Sequence, residues 1–335
     1  MQQVNARIGF IDIAKGLGIV AVVSGHTYFT HGWDLFHRLV YPWHMPLFFV
    51  IAGCFLSRSD ALRDFLRNKF HRLILPYFVV GFIGVVGSSL GRAVESSNGS
   101  FARELALGGK ALLYGSTSPL AHSLVGPVRE IGALWFFPAL FVSLVVARLL
   151  IGIRGGYCVG VVLSLLVLTY KWLGGVWLPL SIEVGFFSAS YLLLGKMVMS
   201  KTSLILRPQI GFCFVGLVAY VGCVAFDQRV CLGVLEFSNY MMPVVTLLIV
   251  YAVISLSHYL DRVPYVSSFL AMAGRHSMSA YCVHHLFLSG GGGICSIRSV
   301  KAIRTISWRC FSLGRVCHSF YPSHLVCCKR ERVPI

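Results

Sequence analysis

Residues 8–29 read IGFIDIAKGLGIVAVVSGHTYF, and whether this run is a soluble core helix or a membrane span decides the fold. A helix that crosses a bilayer needs roughly 20 mostly apolar residues. This run is long enough and holds only Asp12, Lys15 and His26 as ionisable groups. It does not read as a cleaved signal peptide, because Asp12 and Lys15 interrupt it and no small-residue cleavage site leads into a polar start. The composition of the whole chain settles the choice. Of 335 residues, 56% are apolar and 12% are charged, and the mean hydropathy is +0.76. A soluble domain is about 45–50% apolar and about 25% charged, so a soluble Rossmann or sandwich enzyme is excluded in favour of a membrane protein.

Further apolar runs bounded by charge or Gly/Pro punctuation lie near residues 39–56, 73–91, 131–150, 156–173, 178–199, 209–226, 240–258 and 266–289. The expected fold class is therefore all-α, a polytopic transmembrane helix bundle with about nine visible spans. Basic residues favour alternate loops. Arg58, Arg63, Arg67, Lys69 and Arg72 follow the second run, Arg148 and Arg154 flank the turn after the fourth, and Lys196, Lys201 and Arg207 gather near the end of the sixth. The opposite loops are poorer per residue, which predicts a cytoplasmic N-terminus. The same bias explains much of the formal charge of +17 through cytoplasmic loops beside membrane lipid, so no nucleic-acid partner is expected. The last residues differ in composition. Residues 290–335 hold eight Lys/Arg, one acidic residue and five of the 11 cysteines. The reading divides the chain into a membrane domain, 1–289, and an atypical basic, Cys-rich tail, 290–335.

An ionisable side chain inside a span costs several kcal/mol unless paired or hydrated, so each is a candidate for function. At about 100° per residue, Asp12, Lys15 and His26 face one way, with His26 about 16 Å beyond Lys15 along the axis. One helix face would then line a polar path, with His26 as a natural general base. The plainer alternative is an Asp12–Lys15 pair at one interface and a His26 at the other. Lys69 and Arg72, at i and i+3, would share a face at the cytoplasmic mouth of the third span, holding phosphates or simply flanking it. His44 opens the second run. Ser277, Tyr281 and His284, at i, i+4 and i+7, share a face of the ninth, either as part of a site or as a packing seam. Glu183 is a lone carboxylate in the sixth, with no partner that the sequence names. The cysteines lack a paired Cys-x-x-Cys spacing, so no metal is expected.

Taken in order, several blocks resemble the integral-membrane acyltransferase type-three family, which includes bacterial O-acetyltransferases of surface polysaccharides. They are Ile11–Gly16 leading to Val22–His26 with a Lys-x10-His spacing, His44-Met45-Pro46-Leu47-Phe48-Phe49 with Gly53, Lys69-x-x-Arg72-Leu73 with Pro76-Tyr77, Leu134-Trp135-Phe136-Phe137-Pro138, and Gly274-Arg275-His276-Ser277 running to Tyr281-x-x-His284. They cover about residues 7–287.

The resemblance implies transfer of an acyl group, usually acetyl from acetyl-CoA, to a sugar hydroxyl of a glycan or lipid-linked glycan at the bacterial inner membrane. It implies no bound cofactor. By position it makes His26 the essential histidine, Lys15 with Asp12 its companions on the same helix, and Lys69 with Arg72 the contacts for CoA phosphates. His44, Trp135, Ser277, Tyr281 and His284 are further site candidates. Lys69 stands where Arg is common in the family, which keeps the charge but not the bidentate geometry. The family pattern ends with a tenth span, missing here, and an out-of-frame or truncated end would account for the tail. The rival readings are a polytopic transporter or flippase using the polar path, and a noncatalytic membrane scaffold.

Overall fold

The structure, a computed structural model, describes residues 9–27, 33–95, 100–200 and 208–294. The chain divides into a unit spanning Met1–Gly293 and a second from Ile294 to Ile335, of which only Ile294 is described. The tail's composition and origin therefore fall outside the described residues.

Among the described residues the fold is helical, with one two-stranded hairpin. In chain order the helices are α1 (Gly9–Thr27), α2 (Trp33–Val40), α3 (His44–Cys54), α4 (Leu62–Lys69), α5 (Leu75–Glu95), α6 (Phe101–Tyr114), α7 (Phe136–Leu150), α8 (Gly156–Trp172), α9 (Ile182–Ser200) and α10 (Ile210–Ala225). The hairpin strands β1 (Val230–Cys231) and β2 (Glu236–Phe237) follow, and then α11 (Met242–Leu260), α12 (Pro264–Arg275) and α13 (Ser277–Ile294).

Four segments, Leu62–Val94, Gly132–Leu150, Pro179–Met199 and Met242–Leu260, are long and apolar enough to cross a membrane. Gly156–Trp172 and Ile210–Ala225 are shorter apolar helices. The expected count of about nine full spans is therefore not confirmed: four qualify among the described residues, and two of the other runs show why. The second run forms an 11-residue α3, about 16 Å long and so about half the depth of a bilayer. The ninth run breaks at His276 into α12 and α13, because His276 leaves the helical range with φ −101° and ψ 13°. The stretch between the third and fourth runs also holds a helix of its own, α6, packed on α5.

Helix α9 occupies the centre. Its Phe187, Ser188, Ala189, Tyr191, Leu192 and Leu193 are all buried. Hydrogen bonds tie it to its neighbours: Ser143 on α7 donates to the Gly185 carbonyl at 2.9 Å, Ser164 on α8 donates to Phe187 at 2.7 Å, and Tyr191 meets Thr246 on α11 at 3.0 Å. Small residues permit close approach. A Cβ at Gly53 or Gly195 would collide with the backbone of the facing helix in the α3–α9 pair, as expected where van der Waals packing rather than water drives helix association. The apolar side chains that remain exposed, such as Phe82 on α5, Leu166 on α8 and Phe214 on α10, form faces far too apolar for water. Lipid is the solvent that suits them.

One end of the bundle is basic. Arg148, buried at the end of α7, donates to the carbonyls of Ser57 and Asp60 and lies 4.5 Å over the ring of Phe65. Lys69 lies 5.5 Å over the same ring, and Lys15 lies 5.6 Å over Phe55. Arg58 packs on Gly152, and Lys196 acts electrostatically on Cys54. Loops separated in sequence, but alike in Lys/Arg content, thus meet around residues 54–69.

Candidate active site

At the other end of α3, about 15 Å away, is a small cavity of about 30 Å³, room for about two or three waters. The helices supply Val22, Tyr41, His44, Met45 and Tyr281, the stretch 117–135 supplies Thr117, Ala133 and Trp135, and the hairpin supplies Cys231, Leu232 and Gly233. Three residues singled out in sequence, His44, Trp135 and Tyr281, therefore come together from distant positions.

His44 opens α3 after the turn at Tyr41–Trp43 and is buried. Its Nδ1 lies 2.9 Å from the Val40 carbonyl. A carbonyl only accepts, so Nδ1 carries the hydrogen. The ring also meets that of Tyr41, 4.9 Å between centroids. Tyr281 reaches across from α13 to donate its hydroxyl to the Ala133 carbonyl and packs on Phe137 at 5.5 Å. Trp135 ends a 3₁₀ turn, Gly132–Trp135, that leads into α7, and stacks near Phe49 at 6.5 Å. Ser277, His284 and His285 on α13 are buried with Tyr281, although none of the three lines the cavity.

Helix α1 spans both ends. Val22 lies in the cavity wall. His26 is one turn further along the same helix, and its side chain lies outside the described residues. Asp12 and Lys15 are placed apart from the cavity. The Lys15 ammonium pairs with the Asp12 carboxylate at 3.4 Å, with side chains 29% and 15% exposed, and the buried Ile19 and Val22 lie between that pair and position 26.

Lys69 ends α4, and Arg72 falls within a π-helical turn, Phe70–Ile74, where the Leu75 N–H donates to Phe70. The wide turn has a local cause. Pro76 has no N–H to give Arg72's carbonyl, and its ring would press on it. Lys69 and Arg72 remain close enough to influence each other's charge, so the two cations stay neighbours at the basic end.

Glu183, which sequence left without a partner, accepts the Leu178 N–H at 2.5 Å and acts electrostatically with Lys171. Lys171 lies 3.6 Å over Trp177 and donates to Gly175 at 2.7 Å. These contacts shape the connection from α8 to α9, away from the cavity.

Sequence reading missed the hairpin. Val230, Leu232, Leu235 and Phe237 are all buried, and a non-glycine residue, Leu235, takes φ +54° to close the turn. The available signal was apolar residues recurring two apart, Val230 and Leu232, inside a stretch passed over as a connection. Burial, with a smaller push from Glu236, raises the Cys231 thiol to about 11. It is therefore a neutral wall group and not a thiolate nucleophile. No group of metal-binding side chains occurs among the described residues.

A small cavity of mixed polar and apolar lining, fringed by an imidazole, two phenols, an indole and a hydroxyl, suits proton transfer at one small polar group. Neither the curated proteins nor the solved structures contain a significant match to the chain. The family model described as an acyltransferase domain matches residues 8–311, so this helical membrane protein belongs to the type-three acyltransferases.

Proposed function

We propose that the chain is an O-acetyltransferase of the bacterial inner membrane, with its N-terminus cytoplasmic, which takes acetyl from acetyl-CoA at the basic end. It delivers the group to a sugar hydroxyl of a surface polysaccharide, such as exopolysaccharide or O-antigen, or of its lipid-linked precursor, at the cavity end. The observation that carries this reading is the separation of the two ends along α1 and α3. Cations gather around Lys69, and the cavity collects His44, Trp135 and Tyr281 beside Val22.

In this reading Lys69 and Arg72 hold CoA phosphates, and the thioester arm extends along the bundle toward position 26. His26 takes the proton from the acceptor hydroxyl. The oxygen bonds to the carbonyl carbon, the carbon–sulfur bond breaks, and CoA leaves with a proton. In the alternative order His26 accepts the acyl group first and passes it to the hydroxyl. His44, in the cavity wall, orients the acceptor. Asp12 and Lys15 support α1 at the donor end.

The test uses the full chain in phospholipid nanodiscs with radiolabelled acetyl-CoA and a panel of hexosides. His26→Ala lowers transfer by about 100-fold or more, the range of a lost general base, at unchanged protein level. Undiminished transfer by that variant would sink the catalytic assignment. Translocation of a lipid-linked glycan without acetylation would favour a flippase.

A further inference from the structure

We infer that the hairpin Val230–Phe237 is the acceptor-selecting element, fixing through Gly233 which sugar hydroxyl can enter the cavity. The inference rests on the acyltransfer reading above and adds to it a residue and a substrate constraint.

The argument starts from position. The hairpin follows α10 as a connection, yet its apolar side chains are buried, and Phe237 packs on Phe187 of the central helix, 5.3 Å between rings. Its base is closed twice over: the Ser238 N–H donates to the Arg229 carbonyl at 3.0 Å, and the Arg229 N–H donates to Ser238 Oγ at 2.6 Å. A short element pinned at its base, with Val230, Leu232, Leu235 and Phe237 buried, holds its tip in a fixed place. That is what a specificity wall requires, since a loose wall would let unsuitable groups in.

The tip meets the cavity at Gly233. A Cβ there would lie 2.7 Å from Thr117 Cγ2, 2.9 Å from Trp135 Cε2 and 3.1 Å from Trp135 Nε1. The indole is rigid and buried, so even one methyl group at position 233 forces Trp135 to shift. The same cavity is lined by Val22, His44 and Tyr281. The hairpin therefore limits the room left for an acceptor beside these residues. At about 30 Å³ the space admits a hydroxyl and the carbon bearing it, and not a whole ring. The acceptor group must then project from its sugar, as an exocyclic hydroxymethyl does, with the ring outside.

Two-substrate kinetics in nanodiscs test this, with acetyl-CoA as donor and paired hexoside and 6-deoxyhexoside acceptors. The parent acetylates the hexoside and spares its 6-deoxy partner. Gly233→Ala raises the acceptor KM by about tenfold or more, the cost of one misplaced carbon in a tight pocket, and leaves the acetyl-CoA KM unchanged. Adding Trp135→Phe, which removes the colliding edge of the indole, recovers much of that loss. Cys231→Ser, nearly isosteric, serves if Gly233→Ala does not fold, and it shifts the acceptor KM alone. The inference is overturned if both KM values move together, if Trp135→Phe rescues nothing, if Cys231→Ser leaves the acceptor KM in place, or if the 6-deoxy sugar is acetylated as well as its partner. A parent that transfers acetyl to no sugar at all overturns the acyltransfer reading, and the hairpin's role with it.

Discussion

The two ends of α3 are built on different physical terms. The basic end is organised by charge over aromatic rings and by Arg148 serving two backbone carbonyls. It is partly open, with Arg72 exposed and Lys69 half-buried. The cavity end is organised by packing: His44, Trp135, Tyr281 and the hairpin's Val230, Leu232, Leu235 and Phe237 are buried, and His44 and Tyr281 answer to backbone carbonyls. An open cationic surface suits a large anionic ligand that arrives from water. A small, mostly buried cavity suits a small neutral group that must be desolvated before it reacts. One short helix connecting the two lets a single bundle serve both.

The largest effect on stability expected from breaking this contrast is at Arg148. Truncation to Ala leaves the Ser57 and Asp60 carbonyls unserved and Phe65 without one of its two cations, which costs about 2–3 kcal/mol. It also loosens the platform that carries Lys69. Thermal unfolding of the purified variant checks the first consequence, and a rise of about tenfold in acetyl-CoA KM, with acceptor KM unchanged, checks the second. Arg148→Lys keeps the charge but loses the two-pronged geometry, and falls between.

Next in size is Tyr281→Phe at the cavity end. It strands the Ala133 carbonyl for about 1–2 kcal/mol and should raise acceptor KM while sparing the donor. The smallest effect lies in the segment that brings Thr117 to the cavity. Glu104 there receives Arg129 at 2.5 Å, with Arg92 nearby at 3.8 Å. The Arg129 hydrogen bond, with the charges of Arg129 and Arg92 behind it, holds the Glu104 carboxyl below its usual range. A carboxylate depressed in the folded state contributes fully above its unfolded value of about 4.3 and loses that contribution as pH falls through the folded value. Glu104→Gln is therefore less stable than the parent at neutral pH, by about 1 kcal/mol or less, and the difference closes in acid. A gap that stays constant across that range would contradict the linkage.

The same contrast explains what sequence made legible. The basic end was readable because charge is written residue by residue: Arg58, Lys69, Arg148 and Lys196 identify their loops without knowledge of the fold. The long helices were readable for a similar reason, since α5, α7, α9 and α11 are apolar along their lengths. The cavity was only partly readable. His44, Trp135 and Tyr281 stood in suggestive blocks, but their meeting depends on how α3, α7 and α13 pack. Thr117, Cys231 and Gly233 carried no local mark, because each matters through what it touches. The shortness of α3 and the break at His276 were hidden because an apolar run does not say where its helix stops. Amphipathic α6 was hidden because its Arg103, Glu104 and Lys110 made the segment read as a loop.

The central claim is that donor and acceptor bind at opposite ends of α3. Steady-state two-substrate kinetics on the full chain in nanodiscs test it most directly, comparing Lys69→Ala/Arg72→Ala with Trp135→Phe. The account predicts that the first raises acetyl-CoA KM by about 100-fold, two charge-assisted contacts at about tenfold each, and leaves acceptor KM alone, whereas the second changes acceptor KM only. Equal shifts of both KM values in either variant would contradict it.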